Sequence, residues 1–212
     1  MILVENVVYK YPSADAPVLA DFSARFQRGE IAAVSGKNGC GKTTLTKLLA
    51  GILRPVSGRV TIDGADISKM DLFEIGRRVG YIFQNPNRQL FCNSVFDEVA
   101  YGLRNLNLDE TQTEEKASYY LEYFGLGSYR EVYPGKLSLG EKQRLALAAV
   151  LALGTDYLVL DEPTNGLDVK RQEELGTLIS ELRCKLNCGI ILVSHEPEFI
   201  SSYADRELVM VR

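Results

Sequence analysis

The sequence has no long hydrophobic run, no basic stretch and a single histidine. The longest apolar run, Leu145 to Leu153, falls far short of the roughly 20 residues that a bilayer-spanning helix needs, so no transmembrane segment is expected. The N-terminus, MILVENVVYKY, has no basic region followed by an apolar one, which argues against a signal peptide. The formal net charge is −4, and no lysine- or arginine-rich run occurs. Sequence-independent nucleic-acid binding relies on such charge, so no nucleic-acid partner is expected. The cysteines at 40, 92, 184 and 188 fit neither zinc-site nor disulfide spacing. They read as reduced thiols, and so as a cytoplasmic protein.

What is present reads as one domain of the α/β class. Ile2–Tyr9, Val18–Phe26 and Arg59–Ile62 are rich in β-formers and broken by turn signals at Pro12, Arg28-Gly29 and Asp63-Gly64, as an antiparallel β lobe would be. The middle, about Leu72 to Tyr133, reads as helical apart from a strand over Val79–Phe83. Within it Ala117, Tyr120, Leu121 and Phe124 repeat at the spacing of one buried helix face. Helices over Gly140–Leu153 and Val169–Leu186 then alternate with the apolar strands Tyr157–Leu160 and Gly189–Ser194. A short helix near Pro197–Ser202 and a strand over Glu207–Val211 follow. Such continuous apolar strands belong to a parallel sheet covered by helices on both faces.

One loop carries a specific chemistry. The short strand Glu30–Ser35 runs into Gly36-Lys37-Asn38-Gly39-Cys40-Gly41-Lys42-Thr43, with Thr44 next, at the start of a helix. The pattern G-x-x-x-x-G-K-[ST] between strand and helix is a phosphate loop. Gly36, Gly39 and Gly41 let the backbone turn its N–H groups on phosphate oxygens, and the helix N-terminus adds partial positive charge. Lys42 would reach the β- and γ-phosphates of a nucleotide, and the Thr43 hydroxyl would meet Mg²⁺. The strand Tyr157–Leu160 ends in Asp161 and Glu162. Alternation along a strand points these two to opposite sides, so Asp161 is expected near Mg²⁺ beside Thr43. Glu162 is expected as the general base that orients water.

A second anion-binding arrangement lies about a hundred residues later. In Lys136–Arg144, KLSLGEKQR, Ser138 and Glu141 form a capping-box pattern ahead of an apolar helix. LSLGE resembles the LSGGQ signature of ATP-binding cassette (ABC) ATPases. Four further elements resemble that family in order: Tyr11 in VVYKYP, Gln84 in YIFQNP, Asp168 in NGLD and His195 in ILVSHE.

The resemblance implies a P-loop NTPase core at about 30–84 and 155–212, an antiparallel β lobe at about 1–30 and 56–66, and an inserted helical subdomain at about 85–154. It implies two such subunits paired head to tail, as a homo- or heterodimer. ATP and Mg²⁺ would lie between the phosphate loop of one and Ser138, Gly140 and Glu141 of the other. Tyr11 would stack on adenine, Gln84 would meet Mg²⁺, Asp168 would line the dimer contact and His195 would reach the γ-phosphate. Leu139 and Glu141 depart from the family's glycine and glutamine. Leu139 could hinder approach to phosphate, and Glu141 adds a negative charge there, which would weaken the composite site.

The segment Tyr81–Leu103, YIFQNPNRQLFCNSVFDEVAYGL, further resembles the ATPases of energy-coupling-factor importers of vitamins and metal ions. That branch implies a transmembrane coupling subunit docked near Asn85–Phe91 and a peripheral location on the cytoplasmic face of the membrane. Other readings are an ABC exporter ATPase, a soluble ABC ATPase working on nucleic acid or ribosomes, and a phosphate-loop kinase. The kinase reading leaves the signature and the Gln84 and Asp168 motifs unexplained.

Overall fold

The alternation in the first strand sets the edge of the core. A computed structural model describes residues 1–211, and in it Ile2, Val4, Val7 and Tyr9 of β1 (Ile2–Tyr9) are buried. The step from Val4 to Val7 breaks the period of two. There the register to both neighbours shifts, and Asn6 takes a positive φ of 49°. This bulge keeps the apolar side chains on one face. β2 (Leu19–Phe26), β4 (Ser57–Ile62) and β5 (Ala65–Asp66) complete an antiparallel sheet in the order β2-β1-β4-β5.

The second sheet has the order β6-β7-β8-β3-β9, formed by β3 (Ile31–Gly36), β6 (Val79–Ile82), β7 (Tyr157–Asp161), β8 (Gly189–Val193) and β9 (Arg206–Met210). The pairs β3–β8, β3–β9 and β7–β8 are parallel. Every residue of β7 and β8 is buried, as unbroken apolar strands in a covered parallel sheet must be. Helix α1 (Lys42–Leu49) packs on β3 and β7. The α/β class read from the sequence is the class observed.

The chain divides into two compact units. One comprises Met1–Tyr81 with residues 156–211, and the other is Ile82–Thr155. The first also contains α2 (Leu72–Gly76), α6 (Val169–Leu186) and α7 (Pro197–Tyr203). The second contains α3 (Val95–Asn105), α4 (Glu110–Tyr123) and α5 (Leu139–Leu151), packed on one another. Ala117, Leu121 and Phe124 are buried and Tyr120 half-buried, so the periodic face read in the sequence is α4's inner face. α5 starts one residue before the expected Gly140 because Ser138 and Glu141 close a capping box at its N-terminus. β9 ends at Met210, one residue short of the expected strand.

Candidate active site

The phosphate loop leaves β3 at Gly36 and enters α1 at Gly41, both at positive φ. A Cβ on Gly36 would lie 2.4 Å from the Met210 carbonyl oxygen and 2.9 Å from the Cys40 sulfur, so only glycine lets the loop pass β9. At Gly41, φ 106° is in the left-handed region, and the residue offers no side-chain cap to α1. The amides of the first turn are therefore left for an outside acceptor, which is what an anion site at a helix N-terminus requires. Cys40 is buried, while Lys37, Asn38, Gly39 and Thr43 are exposed. Lys42 is buried and folds over the loop: its Nζ donates to the carbonyls of Gly36 (2.8 Å) and Lys37 (3.1 Å).

Around α1 the hydroxyls are connected. Tyr11 packs edge-on against Tyr9 at 5.0 Å between centroids, and its hydroxyl lies 3.2 Å from Thr44 Oγ1. The Thr43 hydroxyl donates to Asp161 Oδ1 at 3.4 Å, and Tyr81 donates to Asp161 Oδ2 at 2.8 Å. Burial pushes the Asp161 carboxyl above its usual range; the bond from Tyr81 pulls it down, and the Glu162 charge adds to the rise. Burial likewise raises the Tyr81 phenol well above its ordinary value, so it stays a donor. Tyr81, which opens the YIFQNP segment, is assigned no role from the sequence. The residues present suit Mg²⁺. Thr43 and Asp161 offer a hydroxyl and a carboxylate, the hard oxygen ligands that ion takes. Among the described residues no group of three or more His, Cys, Asp and Glu could hold a metal by itself. A cation here would draw its other ligands from phosphate and water.

Asp161 and Glu162 do diverge, but not by the pleat. β7 ends at Asp161, and Glu162 takes a left-handed φ of 51°. That turn sends its carboxylate to His195, whose Nε2 lies 2.8 Å from Glu162 Oε1. The two line a cleft of about 250 Å³ with Thr164, Asn165, Gly166 and Glu196. A carboxylate and an imidazole beside such a space can orient a water and take its proton. Asp168 caps α6, accepting from Arg171 N at 2.9 Å.

The second unit carries the remaining candidates. Gln84 is exposed just after β6. The loop beyond it is braced from within: Gln89 accepts from Phe83 N at 3.2 Å, and Lys142 donates to Asn87 at 2.8 Å. Glu98 is buried, and one of its oxygens, Oε2, accepts from the amides of Phe91 (2.9 Å) and Cys92 (2.8 Å). Losing a buried acceptor leaves both amides unpaired, so Glu98→Ala should lower stability by about 1–3 kcal/mol. Chemical denaturation would measure that loss, and amide exchange at 91 and 92 should quicken with it.

At the signature, a Cβ on Gly140 would meet nothing within 4 Å, so the backbone there is open to close approach. Leu139 is half-buried. Glu141 turns onto its own helix start: its Oε2 accepts from the Ser138 amide and hydroxyl, both at 2.7 Å. These bonds, with one from the Tyr129 hydroxyl, hold its carboxyl below the usual range.

The family model described as ABC transporter matches residues 19–165. A protein of Pyrococcus furiosus that carries the name ABC transporter ATP-binding protein is 43% identical over 210 residues, covering 99% of this chain and 80% of that protein. The energy-coupling factor transporter ATP-binding protein EcfA of Methanothermobacter thermautotrophicus is 41% identical over 212 residues, 99% of this chain and 68% of that one. Some relatives are far longer: the chain spans 34% of one from Methanosarcina acetivorans, at 41% identity. Among solved structures, cbiO1 from Clostridium perfringens, part of the ABC transporter complex cbiONQ, superposes with a TM-score of 0.90 at 33% identity, over 99% of this chain and 84% of that one.

Proposed function

The chain belongs to the ABC transporter family of ATP-binding proteins, and from that membership we propose that it is the ATPase subunit of an energy-coupling-factor importer for a vitamin or a metal ion. Hydrolysis of ATP to ADP and phosphate, coupled to transport, is the family's activity. The observation that carries the importer reading is the likeness to EcfA and cbiO1 along 99% of the chain. The NPNRQLF segment after Gln84 supports it.

The roles follow from what each residue can reach. The free amides of the α1 first turn and Lys42 hold the β- and γ-phosphates, with Lys42 exchanging its two carbonyl acceptors for phosphate oxygens. Tyr11, tied to Thr44, offers its ring to adenine. Thr43 and Asp161 would hold Mg²⁺, which neutralises charge on the β- and γ-oxygens when bound. Glu162 takes a proton from the attacking water, and His195 donates toward the γ-phosphate. Ser138 and Gly140 serve the nucleotide of a second cassette, as a two-fold head-to-tail pairing requires. Asp168 lies at that contact. Among the described residues no helix is long and apolar enough to cross a membrane. Membrane attachment would run through a partner docked at Asn85–Phe91.

Phe91, 67% exposed, tests that attachment. Phe91→Glu places a charge in an apolar contact, so the variant should leave sedimented source membranes while its ATP affinity stays unchanged. Equal retention of variant and wild type would overturn docking through this segment.

A further inference from the structure

Tyr81 opens the YIFQNP segment without a role of its own in the sequence reading, yet its hydroxyl reaches the carboxylate at the end of β7. It lies on β6, the strand beside β7 in the sheet, and its ring packs against the core of the first unit. Its oxygen is 2.8 Å from Asp161 Oδ2 and 3.2 Å from Thr46 Oγ1. Proton counting fixes the direction. An ionised carboxylate only accepts, so the single Tyr81 proton goes to Asp161. The Thr46 hydroxyl, 3.0 Å from the Thr43 carbonyl, belongs to the α1 turn that carries Thr43. Tyr81 thus sits between α1 and the acidic strand end, touching both.

The two oxygens of Asp161 therefore have different partners. Oδ2 is held by Tyr81, while Oδ1 faces Thr43 at 3.4 Å, the long end of a hydrogen bond. The carboxylate torsion is otherwise broad and two-fold. A donor on one oxygen selects the rotation that leaves the other beside the Thr43 hydroxyl. We propose that Tyr81 is a positioning residue for the cation site: it holds Asp161 by Oδ2, so that Oδ1 and the Thr43 hydroxyl are set in advance for Mg²⁺ bound with nucleotide. The proposal rests on the reading of Thr43 and Asp161 as the cation's protein contacts. Outer partners that orient a metal-binding carboxylate typically contribute about 10–100-fold to metal affinity.

Tyr81→Phe removes one oxygen and keeps the ring. The test uses the whole chain with a non-hydrolysable ATP analogue, and Mn²⁺ in place of Mg²⁺, counted by electron paramagnetic resonance. Asp161→Asn is measured beside it. Tyr81→Phe should weaken Mn²⁺ binding to the protein–analogue complex by about 10–100-fold, with affinity for the analogue in EDTA and the melting temperature unchanged. If Asp161→Asn loses Mn²⁺ and Tyr81→Phe keeps it, Tyr81 has no positioning role and the cation-site reading stands. If both keep it, the cation-site reading falls and the proposal with it. If Tyr81→Phe weakens the analogue in EDTA as much as the metal, or melts early, the tyrosine is only structural and the proposal is overturned.

Discussion

Glu162→Gln should lower steady-state ATP hydrolysis by about 10²–10⁴-fold, the contribution of a positioned general base. That is about 3–5 kcal/mol of barrier. Gln keeps the size of Glu162 and can still bond to His195, but it cannot take a proton from water. Nucleotide binding should therefore survive, because the phosphate-loop amides and Lys42 do not depend on Glu162. Phosphate release and equilibrium binding, measured on the same preparation, separate the two effects. Hydrolysis at the wild-type rate would show that the carboxylate facing His195 at 2.8 Å is not the base.

Lys42→Ala should produce the largest loss in binding. Lys42 Nζ already donates to the Gly36 and Lys37 carbonyls, so its charge sits where the phosphates would lie. Hydrogen bonds to a charged group are worth about 1.5–3 kcal/mol each. Two exchanged for phosphate oxygens predict a loss in MgATP affinity of at least about 100-fold. The same two contacts allow a plainer role, in which the lysine only braces the loop. Calorimetric titration beside thermal unfolding distinguishes them. A lower melting temperature with unchanged MgATP affinity would leave Lys42 a brace and remove it from the phosphate site.

The sequence made the fold readable wherever local chemistry settles the outcome. The buried runs YLVL and IILV, the glycines around Lys42 and the Ser138–Glu141 capping box each fix a local geometry. Where an element ends depends on subtler balances. Asp161 and Glu162 looked like neighbours on a pleat, but a left-handed residue after Asp161 sets their divergence, and no periodicity announces it. Contacts between distant segments were invisible for another reason. Nothing about a tyrosine two residues before Phe83 says that β6 will lie beside β7, and the bond from Tyr81 to Asp161 exists only once the sheet order does. Glu98 is similar: its fragment reads as one face of a helix, while its carboxylate serves the backbone of a loop six and seven residues earlier. The concern over Glu141 also changes form in three dimensions, since its charge is spent on Ser138 and Tyr129 of its own chain.

In the proposed role, this chain supplies ATP-driven motion to a membrane partner. The most direct measurement is affinity capture of the tagged chain from detergent-solubilised source membranes, with mass spectrometry of what is held and an ATPase assay on the same eluate. An importer ATPase should bring down an integral membrane protein together with a second ATP-binding cassette, and hydrolysis should be lost in the Glu162→Gln eluate. Recovery only from the soluble fraction, bound to nucleic acid or ribosomes and without any membrane protein, would contradict that role.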